Sequence, residues 1–185
     1  MEKIQIRKSC ADDVPDIMKV IEEAILSLKS RGVDQWQDGY PNAEVIAEDI
    51  RKGISYVACL TEKEQECVVG TAVISFEPEN CYTGIYDGSW RSEKPYAVVH
   101  RIATAEQYKR LGIAGRLIDY AESLCKERDI AWLRIDTHRD NLVMQSFLEK
   151  QGFEKRGSIT LDSGAHRFGY DAKVITNQPA ECRKI

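Results

Sequence analysis

Apolar positions along the chain alternate between helical and strand periods from end to end. Ile4 and Ile6 alternate with polar neighbours, which predicts a short first strand. Ser9-Cys-Ala-Asp12 is an S-x-x-D capping signature, so a helix is expected to start there. Val14, Ile17, Met18, Ile21, Ile25 and Leu28 recur at three- and four-residue steps, one apolar stripe on a helix that Gly32 ends. Residues 33–41 read as a loop carrying Trp36 and Tyr40, and Asn42 can cap a shorter helix through Ile46 and Ile50, stopped by Gly53. Residues 55–60 and 67–76 are β-rich runs joined by the polar stretch 61–66, the pattern of an antiparallel hairpin.

Residues 77–95 break this rhythm with Pro78, Gly84, Gly88 and Pro95, yet hold Tyr82, Tyr86 and Trp90. Such a loop either lines a pocket or plugs the sheet edge with its rings. Residues 96–103 form the strongest strand and 112–128 the strongest helix, with Leu117, Ile118, Ala121, Leu124 and Cys125 on one face. A strand over 130–137 follows, then a helix capped by Asn141, bearing Met144, Phe147 and Leu148 and closed by Gly152. Two strands, 153–161 and 167–175, finish the pattern around the turn 162–165. The order is α+β, a mostly antiparallel mixed sheet with one parallel crossover in the middle, right-handed by the usual rule.

Length adds that 185 residues suit one domain, here residues 1–175, followed by a polar tail at 176–185. Apolar residues at 43% and charged residues at 30% describe a soluble globular chain with no stretch long enough to span a membrane. The N-terminus lacks an apolar core before a cleavage site, so a cytoplasmic protein is expected. A net charge of −4 argues against a broad nucleic-acid surface. The six cysteines include no C-x-x-C pair and only three histidines accompany them, so reduced thiols and no metal site are expected.

Candidate chemistry concentrates in Ile102-Ala-Thr-Ala-Glu-Gln-Tyr-Lys-Arg-Leu-Gly-Ile-Ala-Gly-Arg116, where a strand ends, a glycine-bearing loop carries Lys109 and Arg110, and a helix begins. The unpaired N–H groups and positive end of a helix favour a phosphate. The segment is neither G-x-x-x-x-G-K-[ST] nor G-x-G-x-x-G, so neither nucleotide hydrolysis nor dinucleotide binding is indicated. With residues 141–153 (N-L-V-M-Q-S-F-L-E-K-Q-G-F), it resembles the GNAT acetyltransferase superfamily, whose [QR]-x-x-G-x-[GA] loop and N-x-x-A-x-x-x-Y-x-K-x-G-F element hold acetyl-CoA. The order of elements resembles that family over nearly the whole chain, which implies a three-layer fold with helices on both sides of the sheet.

The resemblance implies that main-chain groups of Ile102 and Thr104 bind the pantetheine arm of acetyl-CoA, the co-substrate. It implies that amides of Lys109, Arg110, Leu111, Gly112, Ile113 and Ala114 wrap the pyrophosphate, and that Asn141 adds a contact from the next helix. Lys109 stands where the family prefers Gln or Arg, and Leu148 where many members carry a Tyr that protonates the departing thiolate. Acyl transfer to an amine needs a base, and His100 is the candidate. The period-2 rule puts it on the same strand face as Ile102 and Thr104. It also matches the second of two histidines in the arylalkylamine N-acetyltransferases, the first corresponding to Val98.

Asp136 and His138, at the next strand's exit, are candidates to orient His100 or bind substrate, with helix capping of this cluster the favoured reading. Trp36, Tyr40, Tyr86 and Trp90 are candidates for an aromatic acceptor pocket, with core packing the competing reading. The leading reading is acetyl transfer from acetyl-CoA to a primary amine of a small molecule or peptide, by direct attack in a ternary complex. The partner is that acceptor, with neither nucleic acid nor membrane expected and a homodimer left open. The alternatives are a non-catalytic acyl-CoA sensor, or an interaction domain acting through the tail at 176–185.

Overall fold

The computed structural model describes residues 4–62 and 64–175. The tail at 176–185, with Cys182, lies outside the described residues. Helices and strands follow in the order β1 (Gln5–Lys8), α1 (Val14–Ser30), α2 (Ala43–Arg51), β2 (Ser55–Glu62), β3 (Gln65–Ser75), β4 (Ala97–Thr104), α3 (Ile113–Glu127), β5 (Trp132–Thr137), α4 (Leu142–Lys150), β6 (Glu154–Thr160) and β7 (His166–Lys173). This is the order that the apolar periods predict. The N-terminal cap differs by one residue. A short 3-10 turn, Ala11–Asp13, precedes α1, and it is the Asp13 carboxylate that accepts from the Cys10 amide, at 2.7 Å. Ser9 is taken up by Ser55, its hydroxyl 2.9 Å from the other.

The strands form one sheet in the order β1-β2-β3-β4-β5-β7-β6. Every neighbouring pair is antiparallel except β4 and β5, the crossover pair joined through α3. One face buries Ala97, Val99 and Leu133 against Ile113, Leu117 and Ile118 of α3 and Leu148 of α4. The other buries Val57, Cys59 and Ala103 against Ile17, Val20 and Ile21 of α1 and Ile46 of α2. Helices therefore cover both faces, and three layers result because each amphipathic helix needs a sheet face on which to bury its stripe.

Two local features shape the centre of the sheet. The β4–β5 ladder consists of Ala97 opposite Leu133 and Val98 opposite Arg134. Both strands then run on, β4 to Thr104 and β5 to Thr137, without pairing with each other. They part into a wedge. On the other side of β4, Thr71 lies opposite Ala103 but Val73 lies opposite His100, so β4 holds one extra residue. This bulge falls at Arg101, whose φ of 50° is left-handed.

The aromatic loop plugs the sheet edge. Tyr82 and Trp90 are buried with Val98 and Ile159 in a third cluster, their rings stacked 5.6 Å apart. The backbone of Tyr86 bridges to Ser158 of β6. None of the described helices is long and apolar enough to cross a membrane.

Candidate active site

The wedge between β4 and β5 opens into a cavity of about 1990 Å³ that runs from the start of α3 to the loops after α1 and β3. A cavity of this size exceeds the ~300–1,000 Å³ of ordinary small-ligand pockets, so it has room for a large co-substrate and an acceptor together. Of the residues singled out in the sequence, Trp36, Tyr40, His100, Ile102, Thr104, Lys109, Arg110, Gly112, Ile113, Ala114, Asn141 and Asp136 all line it.

At one end stands the loop before α3. An α-helix leaves its first amides without intrahelical acceptors. Among the described residues no acceptor is set on the amides of Arg110, Gly112, Ile113 or Ala114. Arg110 (φ 67°) and Gly112 (φ 78°) are left-handed, a backbone form in which successive amides converge on one point. A Cβ on Gly112 would meet nothing within 4 Å, so the space over the loop is open. The free amides are fewer than expected. The Lys109 amide donates to Glu106 O at 3.2 Å and that of Leu111 to Tyr108 O at 3.4 Å. The Leu111 side chain is exposed. The Lys109 ammonium pairs with Glu106 and donates to Ser27 Oγ at 3.2 Å.

Strand β4 supplies the adjoining wall. The Ala105 amide donates to Val69 O of β3 at 3.0 Å. Alternation along a strand therefore turns the main-chain groups of Thr104, and of Ile102 before it, away from β3 and into the wedge. The bulge corrects the expectation that His100 shares their side-chain face. Ile102 packs with the α3 and α4 core and Thr104 sits opposite Gly70, whereas His100 sits opposite Val73, beyond the extra residue. His100 reaches the cavity because the wedge cuts through the sheet and exposes both faces.

Around His100 the partners differ from those expected. Its Nε2 lies 2.6 Å from Glu79 Oε1, a residue the sequence reading left unassigned. Asp136 is occupied elsewhere, accepting from the Tyr82 hydroxyl at 2.7 Å with Arg167 Nε 3.9 Å away. His138 lies outside the cavity lining, and its Nδ1 accepts from the Asp140 amide at 3.2 Å. Burial, then Arg167, holds the His138 imidazole below its ordinary pKa. Arg101 turns at the bulge to pair with Asp49 of α2 at 2.8 Å and donates to the Tyr40 hydroxyl.

Two of the four aromatic candidates stand elsewhere. Trp90 is buried, its indole N–H donating to Tyr82 O at 2.8 Å and its ring under Arg134 at 4.2 Å. Tyr86 faces β6 and β7, its hydroxyl 2.5 Å from His166 Nδ1. Neither lines the cavity. The Trp90 ring gains more by covering apolar sheet surface than by standing in solvent, whereas the Tyr86 ring stays exposed and is held by its hydroxyl. The loop instead reaches the cavity through Glu77, Glu79 and Cys81.

Asn141 lines the cavity with its amide already in use. Its Oδ1 accepts from the Met144 amide at 3.3 Å and its Nδ2 donates to Gln35 Oε1 at 3.2 Å. Gln35 Oε1 also accepts from the His138 amide at 3.2 Å, tying the loop after α1 to the turn before α4. Leu148 is fully buried core and has no access to the cavity. The described residues contain no group of three or more His, Cys, Asp or Glu side chains placed to hold a metal ion.

A strand, a loop with free amides and a helix is the arrangement that the sequence resemblance implied, and here it opens on a wedge between two parallel strands. Residues 22–153 match the acetyltransferase (GNAT) family. The chain belongs to that family. A GNAT-family acetyltransferase from Streptococcus agalactiae 2603 is 32% identical, and its crystal structure superposes with a TM-score of 0.80 over 94% of this chain and 96% of that one. A curated relative, the uncharacterized N-acetyltransferase YesJ of Bacillus subtilis (strain 168), is 23% identical over 159 residues, 85% of this chain and 84% of its own. The PaiA N-acetyltransferase of Thermoplasma acidophilum, solved in complex with coenzyme A, shares the fold. Its TM-score is 0.66 at 19% identity, over 92% of this chain and 99% of that one. As a GNAT acetyltransferase, this chain transfers an acetyl group.

Proposed function

We propose that this GNAT member is an acetyl-CoA-dependent N-acetyltransferase that acetylates a primary amine of a small molecule or peptide within a ternary complex. The observation that carries the reading is that the free amides of Gly112, Ile113 and Ala114 open on the same cavity as His100. Acetyl-CoA supplies the activated acetyl thioester. For its pyrophosphate the chain offers those amides at the positive end of α3, with Arg110 beside them. For its pantetheine arm the wedge offers the main-chain groups of Ile102 and Thr104. Each part of the site fits that co-substrate.

His100 is assigned the proton that the acceptor amine must lose, because a protonated amine has no lone pair with which to attack. The walls beyond the cofactor loop include Asp34, Asp38, Asp49, Glu77, Glu79 and Asp136. The nearby cations Arg101 and Arg167 already face carboxylates. Such a field draws in a cationic amine. Trp36 and Tyr40 add aromatic surface at the same end.

The test is release of free thiol from acetyl-CoA against a panel of small amines, polyamines, amino acids and peptides. Turnover with an amine is expected. Tight binding of coenzyme A without thiol release for any acceptor would make the chain a sensor instead.

A further inference from the structure

Glu79 is the N-cap residue of a short 3-10 turn, Asn80–Tyr82, and its carboxylate makes no capping bond. A carboxylate at a helix start ordinarily accepts from a free amide of the first turn. Here the side chain turns away and reaches β4, where Oε1 lies 2.6 Å from His100 Nε2. Its other oxygen faces Cys81 Sγ at 3.9 Å. Both partners are partly exposed and both line the cavity.

The turn that carries Glu79 is anchored through its last residue. Tyr82 is buried beneath it, stacked on Trp90, with its carbonyl accepting from the Trp90 indole at 2.8 Å and its hydroxyl donating to Asp136 at 2.7 Å. The Tyr82 ring also meets the edge of His100, centroids 6.2 Å apart. The charged groups of β4 and β5 beside His100 are engaged with their own partners. Arg101 on its own strand pairs with Asp49 of α2, and Asp136 of β5 is held by Tyr82 and Arg167. Cys81 is a protonated thiol, pushed up to about 12 by burial and then by Glu79 and Asp136. The carboxylate that touches the imidazole is Glu79.

We propose that Glu79 is the positioning residue of His100. Its carboxylate accepts the Nε2–H, so the lone pair that receives the amine proton sits on Nδ1, and its negative charge stabilises the imidazolium that results. The ring nitrogen that carries the proton is set by the hydrogen bond it makes, and charge-assisted bonds of this length are the strong kind. The proton balance closes: one proton leaves the acceptor ammonium, Nδ1 binds it, and the Nε2 proton stays where it was. The inference rests on the reading of His100 as proton acceptor.

The experiment measures steady-state acetyl transfer across pH for wild type, Glu79→Gln, Glu79→Asp, His100→Ala and the His100→Ala/Glu79→Gln pair, with coenzyme A binding by calorimetry as the check on folding. Glu79→Gln should lower kcat by about 10-fold, a part of the ~10²–10⁴-fold that general-base assistance contributes. Its coenzyme A affinity should hold, and its acidic limb should move to lower pH because the stabilising charge is gone. Glu79→Asp should recover part of the rate. The double variant should be no slower than His100→Ala alone, since Glu79 acts through the imidazole. In nitrogen-15 spectra of the neutral wild-type protein, His100 should carry its proton on Nε2.

A full loss in His100→Ala beside wild-type kcat and an unmoved limb in Glu79→Gln would overturn the proposal alone. Additive losses in the double variant would do the same. Wild-type rate in His100→Ala would remove the base reading and, with it, the role of Glu79.

Discussion

Gly70 of β3 lies directly beneath Ile113, the first residue of α3: a Cβ on Gly70 would stand 2.7 Å from Ile113 Cγ2. It would also stand 3.2 Å from Ala103 O of β4. Ile113 is buried, so it has no solvent side toward which to retreat. Gly70→Ala is expected to lift the start of α3 and displace the free amides, costing about 1–3 kcal/mol of stability as overpacked cores do. Coenzyme A affinity should fall with it. Urea unfolding and calorimetry read the two effects, and wild-type values in both would show that α3 is seated by something else.

Gly112 tests the same loop from the ligand's side. Its left-handed backbone makes any side chain strained, by about 1–2 kcal/mol, yet a Cβ there would meet nothing. Gly112→Ala should therefore lose modest stability while largely keeping coenzyme A affinity. Gly112→Glu should pay a similar strain and lose binding altogether, because a carboxylate would stand over the phosphate-binding amides. Equal affinities in the two variants would remove the loop from the site.

The element order was legible because each helix carries an unbroken apolar stripe, as in Leu117, Ile118, Ala121 and Leu124, and each strand lies between polar turns. The start of α3 was legible for a local reason, glycine and free amides after a strand. The site beyond it was legible only in part: Trp36, Tyr40 and His100 do line the cavity, but their arrangement was not foreseeable. One inserted residue at Arg101 changes neither composition nor period enough to be seen, yet it moves His100 to the other face of β4 from Ile102. Glu79 is an acid in a loop, indistinguishable in sequence from Glu77, and its importance comes from the turn that Tyr82 anchors. Trp90 and Tyr86 were misplaced because composition reveals that a loop is aromatic, not which way its rings turn.

Asp13 gives a prediction in pH. The hydrogen bonds from Arg7, at 2.7 and 2.9 Å, hold its carboxyl below the usual carboxylate range, with the Cys10 amide adding to them. A depressed native pKa means that the stabilisation is fully present above the unfolded value of about 3.8 and is lost as pH falls through the native one. Asp13→Asn should destabilise the protein at pH 7 by about 1.5–3 kcal/mol, the range for hydrogen bonds to charged groups. The gap between wild type and variant should close in melts taken progressively below pH 4. A gap that stayed constant down to pH 2 would mean that the Arg7 pair contributes through packing rather than charge.

The thiols bear on whether the acetyl group is ever carried by the chain. Cys81 lines the cavity beside Glu79, close enough to the proposed acceptor end to be a carrier by position. Its chemistry argues against that. Burial first, then the neighbouring carboxylates, pushes its pKa to about 12, and burial does the same for Cys59 and Cys125. Only the thiolate is a competent nucleophile, and a pKa near 12 leaves about one molecule in 10⁵ ionised at pH 7. Intact-mass spectra after exposure to acetyl-CoA should therefore show no acetyl group on a cysteine. Double-reciprocal plots of rate against acetyl-CoA at several acceptor concentrations should intersect, because both substrates must be bound before transfer. Parallel lines, together with an acetylated Cys81 that discharges when amine is added, would replace direct attack with a two-step route through the thiol.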